Sequence, residues 1–441
     1  MNDAQGTPAR RPDTSPLAAF RRDRSPDLRS RWRRFSSMLE SERANGRYQA
    51  QYRLELLGPI DHEIVVRDPF TSRPRKMICF DSNSYLGLHL DPRVIGAVRR
   101  VLSETGYGTP SAQLLAGTNR WLVELEEVVA AFHGREAALV FPSGYAANIG
   151  ILTGLLGTGD FAARDRLSHA SLHDGCRYSG ARSGVFEHRD AAGLGRLLDR
   201  ESANGGARLV VTDGVFSMHG RVAPLPSLRE VADRCGALLF VDEAHATGIL
   251  GETGRGSEEY FGLPGRIDVL MGTFSKAAGS LGGYVVGSRE MIDYLRFHAH
   301  AGLFTASLPA PVCAGIAEAF RLMAEEPDAR VRLFENTRRL VAALETQGLS
   351  VVSRETPIVS VVAGRAETLL NAGRELFEAG VRCGVVTYPA VPPDASLLRL
   401  TVNARHSNDE IDRVAEVLGR IARRHGFGTG ASDPARNESA A

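Results

Sequence analysis

Strand-like apolar runs alternate with helix-like segments across the middle of this chain, and this alternation constrains the fold most strongly. Four such runs, at residues 137–141, 208–213, 237–241 and 268–271, each end beside polar or small residues. Strands separated by helices predict an α/β protein whose mostly parallel sheet is covered by helices on both faces. Open parallel sheets bind ligands beyond the carboxyl ends of their strands, so we expect the functional residues at that edge.

The two ends of the chain differ in composition from its middle. Residues 1–35 are rich in Arg, Pro, Asp and Ser and nearly lack aliphatic side chains, which predicts a disordered leader. We expect an N-terminal segment over 36–87 and a large domain over 88–323. The pattern then changes to that of a smaller C-terminal α+β domain over 324–425, and 426–441 are predicted to form a loose tail.

Charge and composition argue against several classes of protein. A net charge of +1 gives no global reason to expect binding to nucleic acid. Residues 242–245 match the sequence of a helicase box, but the phosphate loop that accompanies this box in helicases is missing from the sequence. A helicase is therefore not expected. We find no apolar run long enough for a membrane span. The five scattered cysteines form no CxxC pair, which favours a reduced, cytoplasmic protein without a metal site.

Lys276 is the residue whose surroundings point most clearly to chemistry. It follows the strand-like run 268–273 in a stretch of small residues, as a Schiff-base lysine in a partly desolvated pocket would. Asp242 ends another apolar run, where a carboxylate can keep a pyridine nitrogen protonated. The pair predicts pyridoxal 5'-phosphate (PLP) as the cofactor. The alternatives are a solvated surface lysine and an aspartate that only caps a turn.

A phosphate group is best bound by backbone N–H groups at the start of a helix. Ser143, Gly144 and Tyr145 follow a strand-like run and open a helical stretch, so we expect them to provide such groups. Thr273 is placed to add a hydroxyl. A strand followed by Ser-Gly and a helix is also a common tight turn, which is the alternative for this segment.

Four further side chains suit the ring and the substrate. Ser217 and His245 are placed to contact the ring oxygen, and His169 is placed to stack on the ring. Arg399 lies in the middle of an apolar strand, where its planar fork suits the carboxylate of an amino-acid substrate. The alternatives are a structural histidine at 169 and a structural acidic partner for Arg399.

Nine ordered segments make the chain similar to the α-oxoamine synthases. This family of fold-type-I PLP enzymes includes 8-amino-7-oxononanoate synthase, 2-amino-3-ketobutyrate CoA ligase, 5-aminolevulinate synthase and serine palmitoyltransferase. The resemblance covers about residues 80–424, and its segments are 83–88, 115–118, 141–148, 168–171, 215–220, 241–248, 272–277, 304–309 and 398–400.

The resemblance implies a PLP-dependent acyltransferase that condenses a small amino acid with an acyl thioester, with loss of carbon dioxide, to give an α-amino ketone. It makes Lys276 the Schiff-base lysine and proton shuttle, and it adds Asp242 and His169 to the catalytic set. It implies that Asn83 and Arg399 bind the amino acid. It also implies a homodimer with shared active sites.

The remaining contacts follow from the same resemblance. The backbone at Gly144 and Tyr145 would hold the cofactor phosphate together with Thr273. Ser143 begins that same turn. In the shared site of the homodimer, Thr305 would reach the phosphate of the cofactor bound to the partner subunit.

The chain departs from the family pattern at Gln113, where relatives carry arginine, and at Ala306, where they often carry a hydroxyl. The change at Gln113 leaves the acyl donor open, because an acyl carrier protein could replace coenzyme A. Two other functions are alternatives. One is another fold-type-I enzyme such as an aminotransferase. The other is a non-catalytic partner subunit, although such subunits lack the lysine that Lys276 provides.

Overall fold

The N-terminal part contains two helices and a two-stranded antiparallel ribbon. The computed structural model describes residues 27–388, 390–392 and 394–429. Its first elements are α1 (Leu28–Ala44), α2 (Arg47–Gln51), β1 (Glu63–Arg67) and β2 (Pro74–Phe80).

Helix α1 covers residues 28–35, which the composition had assigned to the disordered leader. The Asp27 side chain accepts hydrogen bonds from the amides of Arg29 and Ser30 and so caps the helix. The cap and the helix-forming arginines favour a helix in this segment despite its scarcity of aliphatic residues. The rest of the predicted leader, residues 1–26, lies outside the described residues.

Helices and strands alternate through the centre, as the sequence predicts. The elements are α3 (Pro92–Thr105), α4 (Arg120–Phe132), β3 (Ala137–Phe141), α5 (Gly144–Leu155), β4 (Phe161–Asp165), α6 (Ala170–Tyr178), β5 (Arg182–Phe186), α7 (Ala191–Glu201), β6 (Arg208–Asp213), α8 (Leu225–Arg234), β7 (Leu238–Asp242), α9 (Ser257–Tyr260), β8 (Val269–Thr273) and β9 (Gly283–Gly287).

These strands form one seven-stranded sheet in the order β3-β9-β8-β7-β6-β4-β5. Its pairs are parallel except for those of β9, which runs antiparallel to β3 and β8. Successive residues of β3 face opposite sides: Val140 belongs to one hydrophobic cluster and Phe141 to the other. The prediction of a mostly parallel α/β sheet covered on both faces is therefore confirmed.

A second sheet unites the two ends of the chain. The C-terminal elements are α10 (Arg289–His298), α11 (His300–Leu303), α12 (Ala310–Glu325), α13 (Asp328–Thr346), β10 (Ile358–Gly364), α14 (Ala366–Glu378), β11 (Val381–Val386), β12 (Ser396–Thr401) and α15 (Asn408–His425). The sheet order is β1-β2-β11-β12-β10, so the N-terminal ribbon completes the C-terminal sheet.

Helix α15 begins at a capping box in which Ser407 and Glu410 satisfy each other's backbone amides. Beyond its end, the predicted loose tail is partly packed. Phe427 is buried, and the carbonyl of Gly428 accepts a 2.7 Å hydrogen bond from the amide of Ser350. Burial of one aromatic ring fixes these residues, and residues 430–441 lie outside the described part of the chain.

In the part of the chain that the structure describes, no helix has the length and apolar character needed to cross a bilayer.

Candidate active site

A cavity of about 420 Å³ opens at the carboxyl edge of the large sheet. Every predicted site residue except Thr305 lines it, although these residues come from widely separated segments: Asn83, Ser143, Gly144, Tyr145, His169, Ser217, Asp242, His245, Thr273, Lys276 and Arg399. The parallel strands carry most of this set to one rim, and the second sheet adds Asn83 after β2 and Arg399 from β12.

Lys276 reaches the cavity from the loop that follows β8. Burial lowers the pKa of its amine, and Arg399 lowers it further, while the nearby carboxylate of Asp242 opposes the shift. A lower pKa increases the fraction of neutral amine, which is the form that attacks a carbonyl group. Its environment is therefore that of a reactive lysine and not of a solvated one.

Asp242 ends β7 and is almost fully buried at 4% exposure. One carboxylate oxygen accepts a 2.9 Å hydrogen bond from the amide of Ala244, and the other accepts a 2.7 Å bond from Asn148 Nδ2. Both oxygens of this carboxylate are therefore held by N–H donors of the protein. The bond from the Ala244 amide closes a local turn, so one oxygen of Asp242 has the turn-capping role that was the alternative. The same carboxylate also lines the cavity.

His169 opens onto the cavity, and the Tyr145 ring meets it edge-on with centroids 6.3 Å apart. The backbone amide of His169 donates a 3.0 Å hydrogen bond to the carboxylate of Asp213. Although the ring borders open space, desolvation by the surrounding protein lowers its pKa, with Lys276 acting in the same direction. The carboxylate of Asp242 opposes this shift, and the net lowering of the pKa favours the neutral imidazole.

His245 is held from behind by a buried tyrosine. Its Nδ1 lies 2.7 Å from the hydroxyl of Tyr85. Burial lowers the pKa of His245 well below its usual value, and the positive charges of Lys276 and Arg399 lower it further. A neutral imidazole bound through Nδ1 leaves its other nitrogen for a ligand.

The turn between β3 and α5 is shaped for an anion. Ser143 Oγ accepts a 3.0 Å hydrogen bond from the amide of Ala146 and caps α5. A Cβ on Gly144 would lie 2.9 Å from Thr273 Oγ1, so only glycine fits between the helix and β8. The first amides of the helix have no acceptor within it and point to an anion-binding site.

Two hydroxyls border this turn in different ways. Thr273 donates to the carbonyl of Gly282 at 2.8 Å, which commits its hydrogen within the protein. Ser275, which was not predicted, also lines the cavity, and its hydroxyl lies 3.0 Å from that of Thr273.

Arg399 is buried at 7% exposure, and its hydrogen-bond partners are neutral. It donates to the carbonyl of Ser217 at 2.6 Å, to Thr401 Oγ1 at 2.9 Å and to Asn83 Oδ1 at 3.0 Å. Among the described residues, none of the ion pairs involves this guanidinium. The structural alternative of an acidic partner therefore fails here, and the cavity contains a buried cation suited to an anionic ligand.

Sequence reasoning missed five polar residues of the site, namely Ser275 and also Tyr85, Asn148, Ser171 and Asp213. Asn148, Ser171 and Asp213 line the cavity, and Tyr85 supports it from behind. Burial raises the pKa of Asp213, and the nearby Asp242 raises it further. The available signal was position, because Asp213 ends β6 as Asp242 ends β7.

Gln113 lies away from the cavity. Its side-chain amide is buried and donates a 2.7 Å hydrogen bond to the carbonyl of Val140 in β3. This position therefore anchors the segment before α4 to the sheet and contributes no wall of the cavity.

The residues present fit PLP in three respects. A glycine that leaves no room for a Cβ lies at a helix start suited to phosphate. A buried carboxylate and a desolvated lysine line the same cavity. The volume is that of a small-molecule site. Fold and site together define a PLP-dependent enzyme of fold type I.

Comparisons with known proteins narrow this class. Residues 75–418 match the family model of aminotransferase class I and II. The chain is 41% identical over 353 residues to 8-amino-7-oxononanoate synthase 1 of Bacillus subtilis (strain 168), covering 80% of this chain and 90% of that protein. It is 34% identical over 393 residues to 4-hydroxy-2,2'-bipyrrole-5-methanol synthase PigH of Serratia sp. (strain ATCC 39006), covering 89% of this chain and 60% of that protein.

Among solved structures, a serine palmitoyltransferase from S. paucimobilis with bound PLP–myriocin aldimine superimposes with a TM-score of 0.83. The two share 32% identity, and the match covers 91% of this chain and 99% of that one. The chain belongs to the α-oxoamine synthase family. It is a PLP-dependent acyl-transferring enzyme whose reaction class is decarboxylative condensation.

Proposed function

We propose that this enzyme condenses a small α-amino acid with an acyl thioester and releases an α-amino ketone, carbon dioxide and a thiol. The relatives differ in their named products, so the reaction is proposed here at the level of substrate class. The observation that carries the proposal is the buried, unneutralised Arg399 on the same cavity as Lys276.

In this proposal Arg399 and Asn83 bind the amino acid. The carboxylate of the substrate would neutralise the guanidinium, whose remaining N–H groups point to no protein acid in the described chain. Asn83 orients that guanidinium through its side-chain oxygen. The bound amino acid would then present its α-carbon on the side of the cavity that holds Lys276.

The other side chains are each proposed to contact a different part of the cofactor. Asp242 would keep the pyridine nitrogen protonated, so that bound PLP supplies an electron sink. His169 would cover one face of the ring, and Ser217 and His245 would contact its oxygen. Lys276 would bind the cofactor covalently and later move the α-proton, a task that its lowered pKa supports.

The phosphate would be held at the start of α5. The amides of Gly144 and Tyr145 are the principal donors in this proposal, with Ser143 capping the helix. Thr273 already donates to a carbonyl, so its contribution to the phosphate would need its hydroxyl to turn. Ser275 beside it is a further hydroxyl donor.

A homodimer with shared sites is also part of the proposal. Thr305 lies outside the cavity of its own chain, next to Ala306, which pairs with Ala112. Large apolar side chains are exposed in these two segments, with Tyr107 at 89%, Leu115 at 79% and Phe304 at 77%. Clustered exposed apolar residues are typical of an interface, and a second copy would cover them and receive Thr305 at its phosphate.

The acyl donor is proposed to be a thioester of coenzyme A or of an acyl carrier protein. Gln113 supports neither carrier over the other, because its side chain is bound to the backbone of β3. All five cysteines are free, which supports a cytoplasmic location.

Thiol release tests the proposed reaction directly. Glycine, alanine and serine are each incubated with acyl thioesters of several lengths on both carriers, and free thiol is measured with a chromogenic disulfide. We expect thiol release that depends on one amino acid and a matching α-amino ketone by mass spectrometry. Amino-group transfer to a keto acid without thiol release would instead identify an aminotransferase.

A further inference from the structure

A buried chain of hydrogen bonds connects Asp242 to His169. Asn148 Nδ2 donates to Asp242 Oδ2 at 2.7 Å and to Ser171 Oγ at 2.8 Å. Ser171 Oγ in turn lies 2.7 Å from His169 Nδ1. Asn148 is 1% exposed and Ser171 is fully buried, so water does not compete for these bonds.

The direction of each bond follows from the chemistry of its ends. A carboxylate accepts only, so the group of Asn148 that faces Asp242 is its NH₂. The second hydrogen of that NH₂ goes to Ser171 Oγ. Among the described hydrogen bonds, His169 Nδ1 is the one acceptor within reach of the Ser171 hydroxyl, so the serine hydrogen goes there. The backbone amide of Ser171 also points to Nδ1, at 3.3 Å.

Both groups that approach His169 Nδ1 are therefore donors, and the nitrogen must be bare. We propose that Asn148 and Ser171 are positioning residues that hold His169 as the neutral tautomer with its hydrogen on Nε2. The inference rests on the proposed placement of His169 over the cofactor. In that placement the ring presents an N–H donor, and not a lone pair, to the cavity.

The tautomer decides what His169 can bind. The carboxylate of an amino acid and the carbonyl of a thioester both accept hydrogen bonds. An imidazole with hydrogen on Nε2 attracts such oxygens, whereas the opposite tautomer would present a lone pair to them. Because the same Asn148 amide also binds Asp242, this series of hydrogen bonds positions two groups together. They are His169, proposed for the ring face, and Asp242, proposed for the ring nitrogen.

The test reads the imidazole nitrogens of the PLP-loaded enzyme by ¹⁵N NMR after labelling with ¹⁵N-histidine. A bare and a protonated ring nitrogen give well-separated signals, and His169→Gln identifies the pair that belongs to His169. His173 provides an internal reference, because Arg164 Nε donates to its Nδ1 at 2.7 Å and that nitrogen must also be bare.

We expect a bare Nδ1 and a protonated Nε2 for His169 in the unaltered enzyme. Ser171→Ala removes the hydroxyl donor and leaves only the longer 3.3 Å contact from the backbone amide, so a second signal set with hydrogen on Nδ1 should appear. Asn148→Ala should do the same more weakly and should also reduce PLP affinity about ten- to a hundredfold, as expected for a lost hydrogen bond to a charged group. Ser179→Ala is the matched control and should change neither the tautomer nor the PLP affinity. It removes the bond from a serine hydroxyl at the end of α6 to the carbonyl of Cys176.

A protonated Nδ1 in the unaltered enzyme would overturn the proposal, and so would an unchanged tautomer in Ser171→Ala. The signals require no turnover, so they report on the tautomer even where thiol release fails. Conversely, an enzyme that releases thiol but has the opposite tautomer would contradict this inference and leave the proposed reaction intact.

Discussion

Arg399 Nη2 donates a 3.0 Å hydrogen bond to Asn83 Oδ1, which joins β12 to the loop after β2 at the wall of the cavity. The two residues are far apart in the chain and meet because the N-terminal ribbon pairs with β11 in the second sheet. Because the partner in this contact is a neutral amide, the positive charge of the guanidinium stays available to a ligand.

Replacing Arg399 by lysine should weaken amino-acid binding. Lysine retains the charge but loses the planar fork and its bonds to Asn83 and Ser217. Loss of one charge-assisted bond costs roughly 1.5–3 kcal/mol, or about ten- to a hundredfold in affinity. The dissociation constant is measured by titrating the cofactor absorbance with amino acid.

Arg382→Lys is a suitable control, because this arginine lies in β11 of the same sheet and is paired with Asp81. Its replacement should leave the dissociation constant nearly unchanged. An unaltered constant in both Arg399→Lys and Arg399→Ala would mean that the substrate carboxylate is bound elsewhere.

Replacing Lys276 by alanine should abolish the covalent link between protein and cofactor. The desolvated amine is the nucleophile in our proposal, and alanine has no group to take its place. Borohydride reduction of the PLP-loaded protein followed by peptide mass spectrometry should find the adduct on Lys276 in the unaltered enzyme. Reduction should find none in the variant. Trapping at Lys76, an exposed lysine of β2 paired with Glu63, would indicate non-specific labelling.

Most of the cavity-lining residues could be predicted from the sequence, because they come directly after the strands of the large sheet. Side chains after parallel strands converge on one edge, so Asp242 and Lys276 could be placed without coordinates. The supporting contacts were not predictable in this way. Asn148 lies within α5 and Tyr85 in a loop, and each reaches the site across elements whose separation depends on packing.

Tyr85 illustrates why local patterns fail there. Its backbone adopts a φ of 42°, in a region that large side chains rarely occupy, and its ring is buried beside His245. Such a conformation persists only where the surrounding structure enforces it. Composition also failed at α1, where a single capping aspartate, Asp27, begins a helix in an arginine-rich segment.

Hybrid dimers should reveal whether the active sites are shared. Lys276→Ala and a Thr305→Arg variant are each expected to have little activity, the first without the nucleophile and the second with a bulky group at the proposed phosphate of the partner. Co-expression should restore activity, because some hybrid sites combine an intact Lys276 with an intact Thr305. Activity no higher than the sum of the two parents, with mixed dimers verified by mass spectrometry, would contradict shared sites.

The buried carboxyl of Glu243 should give folding stability a distinctive dependence on pH. Glu243 is inaccessible to solvent and accepts hydrogen bonds from the amide of Ser257 at 2.7 Å and from its hydroxyl. Burial raises its pKa to about 7, above the usual value of 4.5. Between these two values the folded protein retains a proton that the unfolded chain releases, so this group's contribution to stability falls as pH rises.

The fall should amount to about 3 kcal/mol between pH 4.5 and pH 7, since each pKa unit corresponds to about 1.4 kcal/mol. Glu243→Gln cannot ionise, so its free energy of unfolding should decline less over this range, even though the amide disturbs the bonds to Ser257. Urea denaturation at several pH values measures both slopes. Glu258→Gln is the control, because that neighbouring carboxylate is paired with Arg135. Equal slopes for Glu243→Gln and the unaltered enzyme would show that Glu243 is already ionised in the folded protein at low pH.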